Sequence, residues 1–597
     1  MDKLQKRRLI AALSLILTLL LTLPVTGFAN GWDDPSKPGW GNGDKAQHGW
    51  IVSKMKHMTL EEKIGQLFII HMYGQTPTDP DYEQTNLNNN RGAKNFKEAI
   101  EKYHVGGVIY FNWSDNIGTP AHLEQVNALS NGLQDIAMDQ RMPIPLFIST
   151  DQEGGIVQRL TSPGTVFPGN MALGATRSAD LAADSASIIG TELKSLGINM
   201  NFAPVFDVNV NPANPVIGVR SFAENPDLVS ELGVAQSQAY EAENVIPSAK
   251  HFPGHGDTDV DSHYGLPIIN HDLETLREVD LKPFQAGIDA GIDAIMTAHI
   301  VVPALDDSGL PATLSKPILT DLLREQMGFD GLIITDSLGM SGANVLEPEE
   351  VPVEAFKAGN DILLNPPDVE LAYNAMLEAV ESGEISEERV DESVYRILKA
   401  KMEKGLFEDP TTDEGAIANI GTEANLAKAD EIADKSITLV KNEQDLLPLA
   451  KDQSVFITGP STAEPEYLAE QLRAKGYDVS AYATSTSPSQ SQIAAASEQA
   501  ATADTVIATT YTANTNAAQQ RLVEALLDTE KTVIAAAIRN PYDLMAFPEV
   551  DGYLATYGNR DVSVEALARV ISGEVNPQGK LPVTIPELYD YGHYLSY

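Results

Sequence analysis

The 597-residue chain contains no cysteine. That absence excludes a disulfide framework, a thiolate zinc site, a cysteine nucleophile and a lipid-modified cysteine. Basic residues are scarce as well, with 41 Lys and Arg against 84 Asp and Glu, a formal charge of −43. A surface of that sign repels phosphate backbones and anionic lipid heads, which argues against nucleic-acid or membrane-surface binding as the main role. The apolar run from Leu9 to Leu23 falls short of the ~20 residues a spanning helix needs. It follows Lys3, Lys6, Arg7 and Arg8 and precedes the small-x-small triplet Gly27-Phe28-Ala29, so residues 1–29 read as a secretory signal peptide and not as a stable membrane anchor. Cleavage after Ala29 would leave 37 basic against 83 acidic residues, a charge of −46. The mature protein is thus expected to be secreted and untethered, since no lipoprotein cysteine follows the leader.

What is present is an ordinary globular composition, 43% hydrophobic and 21% charged, of a length that suits two large domains. Residues 30–50 carry Gly, Pro and Trp without periodicity and are expected to form a linker. From residue 51, short apolar runs alternate with amphipathic stretches. The runs are LFIIH, GVIYF, PLFIST, INMNFAPVF, VIPSAKH, AIMTAHIVV, GLIITD and DILLN. Eight such βα units imply a (βα)8 TIM-type barrel over 51–405. His71, Asn112, Asp151, Asp207, Lys250 with His251, His299, Asp336 and Asn365 stand at or just past the strand ends, the catalytic face of this fold. A connecting segment is expected over 406–429, and GAIANIGTEANLAKADEIADKSITLVKN reads as that segment followed by a helix. A second alternation, SVFITGP, YDVSAY, TVIATTY, TVIAAAI and GYLATYG, predicts a smaller α/β sandwich over 430–597 with five parallel strands. Its strand ends offer few titratable groups.

The most informative stretch is AKHFPGHGDTDVDSHYGLP, Ala249 to Pro267. His251, His255, His263 and His271, four of the eleven histidines, fall within 21 residues. Three readings compete. His251 and His255 have the spacing of a helical zinc pair, but Pro253-Gly254 lies between them. Asp257, Asp259 and Asp261 imitate the start of a calcium loop, but Ser262 and Ile268 occupy positions that need Gly and Glu. A solvated turn explains isolated members yet not Lys250 and His251 on an apolar strand, where an unpaired charge is costly. Acid/base chemistry is the third reading. Asp261 two residues before His263 can orient the imidazole, and Asp336, ending an apolar strand, is the candidate nucleophile.

KHFPGHGDTDVDSH resembles the K-H-[FI]-P-G-H-G-x4-D-[ST]-H pattern of the family 3 glycoside hydrolases, in the branch of bacterial β-N-acetylglucosaminidases. TDQEGGIVQRL from Thr150, GVRSF around Arg220 and ITDSLGM around Asp336 are similar to the family's other signatures and follow its order. The resemblance covers essentially the whole chain after the leader, because longer members carry a second α/β domain. It implies Asp336 as nucleophile, His263 oriented by Asp261 as general acid/base, and Asp151, Arg159, Arg220, Lys250 and His251 as the groups that hold the cleaved sugar. No metal and no organic cofactor is implied.

The expected activity is retaining hydrolysis of terminal, non-reducing N-acetylglucosamine from peptidoglycan fragments through a glycosyl-Asp intermediate. Glycosidases usually employ two carboxylates, and here a His/Asp pair replaces one. A neutral base repels an incoming anion less than a carboxylate does, so a phosphorylase is an alternative. A β-glucosidase of the same family is another, and a non-catalytic exported sugar-binding protein an alternative of a different class. The expected partner is carbohydrate; protein partners are left open.

Overall fold

The computed structural model describes residues 42–597. The expected signal peptide and the first part of the expected linker lie outside the described residues. From Asn42 the linker reading needs correction, because Asn42–Met55 is an α-helix. The helix has no apolar face, so periodicity held no sign of it.

The eight βα units form a barrel of parallel strands: β1 (Phe68–Ile70), β2 (Gly107–Ile109), β3 (Phe147–Thr150), β4 (Met200–Asn201), β5 (Ile246–Phe252), β6 (Ala294–Thr297), β7 (Leu332–Thr335) and β8 (Leu363–Leu364). Neighbours in sequence are neighbours in the sheet, β1 also pairs with β8, and a parallel bridge from Ile334 to Ile362 closes the ring between β7 and β8. Every strand residue is buried, as expected where side chains fill the interior and helices cover the outside. Phe206, Phe252 and Phe284 pack with Ile295 and Ile333 in one such layer. Local chemistry sets the helix ends: Thr59 and Glu62 form a capping box, and Asn225 caps the helix that Pro226 opens.

The second sheet differs from expectation. It has six strands: β9 (Thr438–Asn442), β10 (Ser454–Pro460), β11 (Asp478–Thr484), β12 (Thr505–Thr510), β13 (Thr532–Ala537) and β14 (Gly552–Ala555). Their order is β11-β10-β12-β13-β14-β9, parallel except for β9, which runs antiparallel to β14. The missed strand lies in SITLVKN, where only the first three of its five residues are buried. A helix, Glu423–Ser436, also begins inside the expected connecting segment.

The two domains share an apolar cluster, with Met171, Ala172, Ala175 and Val219 from the barrel against Tyr542, Ala555, Tyr557 and Val583. Polar contacts reinforce the seam. Arg560 Nε donates to Gly155 O (2.6 Å), Asn209 Nδ2 to Tyr542 Oη (2.9 Å), and Thr584 donates both its amide and its hydroxyl to Glu224. The barrel residues involved belong to loops at the C-terminal ends of its strands, so the second domain braces the barrel on its loop-bearing face.

Candidate active site

A cavity of about 280 Å³ opens at that face, lined by polar residues on and just past β3, β5 and β7 over an apolar floor of Ile109, Met296 and Leu364. Asp151, Arg159, Arg220, Lys250, His251, His263 and Asp336 all line it. Asp261 stands one bond away, holding His263. The structure thus brings together every site residue expected from the sequence.

One wall is a buried charge cluster. Lys250 Nζ lies 2.9 Å from Asp151 Oδ1 and 2.8 Å from Glu153 Oε1. Arg220 reaches the same Glu153 through Nε (2.9 Å) and Nη2 (2.7 Å), a two-pronged pair. Burial alone would raise the Glu153 carboxyl, but Arg220 and Lys250 outweigh it and hold the group far below its usual range. Lys250 stays cationic in the interior because Asp151 and Glu153 outweigh the cost of burial. Two cations and two carboxylates balance, so the side chains that line the cavity are fixed without a net buried charge.

The histidine loop follows β5. His251 Nδ1 donates to Asp207 Oδ2 (2.7 Å), which leaves Nε2 toward Arg220 Nη2 at 3.3 Å. Asp207 also accepts the amides of His251 and His255 (3.1 and 2.7 Å). Burial would raise this carboxyl, yet His251 and the other donors hold it down. His255 has both ring nitrogens occupied, Nδ1 beside Thr258 Oγ1 (2.7 Å) and Nε2 beside Ser262 Oγ (3.0 Å), and burial pushes it down to about 4. It is a neutral strut that holds the loop. Gly256 is required there, since a Cβ would lie 1.7 Å from Val208 O. Past the strut, Asp261 Oδ1 accepts both the amide (2.9 Å) and Nδ1–H (2.7 Å) of His263. The carboxylate therefore fixes the tautomer and leaves Nε2 free to exchange a proton. The loop docks on the segment after β7, where Gly342 N donates to Ser262 O (3.0 Å).

Asp336 lies opposite, just past β7. Burial would raise its carboxyl, but His251, His299, Lys250 and the Ser337 amide (2.7 Å) outweigh that and keep it below the ordinary value. It is an anion at neutral pH. His299 holds the next residue through Nε2 to Ser337 O (3.0 Å), and Asn365 Nδ2 donates to Ser337 Oγ (2.9 Å). At the rim Trp113, 55% exposed, stacks on Phe111 with ring centroids 4.4 Å apart.

Residues 59–400 match the description "Glycosyl hydrolase family 3 N terminal domain" and residues 437–597 "Glycosyl hydrolase family 3 C-terminal domain". The chain belongs to glycosyl hydrolase family 3. A relative named beta-hexosaminidase A, from Pseudoalteromonas piscicida, is 37% identical over 82% of this chain and 90% of its own length. A beta-N-acetylglucosaminidase/beta-glucosidase from Cellulomonas fimi is 28% identical over 89% and 95%. A solved family 3 beta-N-acetylglucosaminidase from Paenibacillus sp. str. FPU-7 is 37% identical, with a TM-score of 0.79 over 88% of this chain and 99% of that one. As a family 3 enzyme this chain is a glycoside hydrolase built from a TIM-type barrel and an α/β sandwich, which removes the reading of a non-catalytic binding protein.

Sequence reasoning left Glu153, Phe111 and Trp113 out of the site. Glu153 carried a signal, a carboxylate inside a Gly-rich loop just past a strand end. The two aromatics follow β2 and had none, because an aromatic at a strand end is as compatible with core packing.

Proposed function

We propose that this glycoside hydrolase is a retaining exo-β-N-acetylglucosaminidase acting on peptidoglycan-derived fragments. The observation that carries the reading is one cavity holding an ionised carboxylate, Asp336, and an imidazole, His263, whose Nδ1 is tied to Asp261. The names of the relatives support the N-acetylglucosaminide specificity.

In the first step Asp336 attacks the anomeric carbon and the C1–O bond to the leaving group breaks. The departing oxygen takes the proton from Nε2 of imidazolium His263, whose charge Asp261 balances. Neutral His263 then takes a proton from water as that oxygen bonds to C1 and the ester to Asp336 breaks. Two inversions give net retention. Asp151, Lys250, Arg159, Arg220 and His251 hold the sugar, with the Phe111–Trp113 pair as an apolar platform at the rim.

Asp336→Asn is the decisive variant. It should lower turnover of an aryl N-acetylglucosaminide by at least about 10³-fold. Retention of most activity would sink the mechanism. A 2-fluoro sugar probe should label Asp336, read by peptide mass spectrometry. Comparing aryl N-acetylglucosaminide with aryl glucoside decides between this activity and the glucosidase that the Cellulomonas fimi relative's name includes. Added phosphate should yield no sugar-1-phosphate if water is the acceptor. Export rests on the leader, and a mature N-terminus at Asn30 would support it.

A further inference from the structure

Most half-buried arginines of the barrel spend their donors on protein acceptors, as Arg91, Arg220 and Arg389 do. Two at the seam between the domains do not. Arg159 lies over the Phe111 ring with its nearest carboxylate, Asp151, at 3.7 Å, and its buried Nε–H has no acceptor among the described residues. Arg539, just past β13, lies over Tyr511 at 5.4 Å from the ring centre, with its Nε–H equally unpaired. Arg560, past β14, donates Nε to Gly155 O (2.6 Å), in the loop that carries Arg159. Burial holds Arg560 below its ordinary value, and it feels both the Tyr511 phenol and the Arg159 charge.

A buried donor without an acceptor signals a missing partner, and guanidinium forks match carboxylates. Asp561 acts on Arg560, but no acid accepts from Arg539 Nε among the described residues. The Asp543 carboxylate is turned to Thr510 Oγ1 (2.6 Å) and Asn514 N (3.1 Å), and burial pushes it up to about 6. All four residues, Arg159, Tyr511, Arg539 and Arg560, are partly exposed, so a ligand reaches them from solvent. On the proposed reaction the cleaved sugar sits over Asp336 in the cavity that Arg159 lines, and Arg560, on the Gly155 carbonyl of the same loop, stands beside that cavity, on the side of the leaving group.

We propose that Arg539 and Arg560, with Tyr511, form an anion-binding aglycone subsite next to Arg159, contributed by the C-terminal domain, that recognises a carboxylate on the leaving group. This rests on the exo-N-acetylglucosaminidase reading and gives the second domain a part in substrate choice.

The test uses the full-length enzyme and a β-linked N-acetylglucosaminyl disaccharide whose reducing sugar carries a lactyl carboxylate, beside the methyl ester of the same disaccharide. Wild type should show kcat/KM roughly tenfold to hundredfold higher for the acid than for the ester, the range expected for a charge-assisted hydrogen bond. Arg539→Gln should bring that ratio close to one, and Arg539→Lys should keep part of it. A wild-type ratio near one, or a ratio unchanged in Arg539→Gln, overturns the proposal. Calorimetric binding of the free lactyl-bearing sugar and of its ester to wild type and Arg539→Gln gives the same discrimination without turnover. Failure to cleave any N-acetylglucosaminide would thus count against the function above, while equal binding of acid and ester would count against the subsite.

Discussion

Glu153→Gln tests whether the charge cluster does what its geometry implies. The carboxylate is 1% exposed and accepts from Lys250 Nζ at 2.8 Å and from Arg220 at 2.7 and 2.9 Å. Glutamine keeps the shape, removes the charge and points an N–H at a cation. Breaking a buried pair from one side costs about 3–5 kcal/mol, a large part of the 5–15 kcal/mol that typically holds a domain folded. The pH dependence gives a sharper check. Arg220 and Lys250 hold the folded carboxyl below its unfolded value of 4.5 despite burial, so its contribution is fully present above that pH. As pH falls below it, the unfolded chain takes up the proton first and the contribution decays by about 1.4 kcal/mol per pH unit. Between pH 4.5 and about pH 3, roughly 2 kcal/mol of the difference between wild type and variant should vanish. Urea unfolding followed by tryptophan fluorescence, run on both proteins at pH 7, 4.5 and 3, measures it. Other carboxylates titrate in both proteins and cancel. A neutral-pH difference under about 1 kcal/mol, or one that does not change with pH, would refute the reasoning.

His263→Ala should lower kcat/KM on a disaccharide by about 10²–10⁴-fold and on a dinitrophenyl glycoside by less than tenfold, because a good leaving group needs little protonation. Equal losses on both would contradict the acid role. Trp113→Ala should raise KM about 5- to 30-fold with little change in kcat, since a stacking platform binds ground and transition states alike; a loss confined to kcat would argue otherwise. His271 lies 2.7 Å from Asp280 and 3.0 Å from Asp257, and the hydrogen bond to Asp280 raises it above its unfolded 6.5. Its contribution is present below that value and lost as pH rises through the folded one. His271→Asn should therefore lower the thermal midpoint at pH 6 and leave it nearly unchanged at pH 9, and an effect of equal size at both would count against the charged pairing of His271 with Asp280 and Asp257.

Much of the barrel was legible because βα alternation is a local pattern. Each apolar run reads as a strand by itself, and the residue at its end falls on the loop face whatever the neighbours are. That is why Asp151, Lys250, His251 and Asp336 were found without contacts. The strand β9 was missed because its pairing comes from β14, more than a hundred residues later, and its run follows directly on a helical stretch and reads as part of it. The helix Asn42–Met55 escaped for the opposite reason, having no apolar stripe to betray it.

By itself, then, the sequence determined the repeated unit, the end of the barrel that carries the polar groups, and the Asp261–His263 pair, since each depends on spacing along a few residues. Only the tertiary structure decided that Glu153 joins Arg220 across 67 positions and that Asp207 holds two histidines at once. It alone set Arg560 of the second domain on the loop that carries Arg159. Those arrangements are contacts between segments distant in the chain. Packing creates them, and the charges then balance only in the folded state.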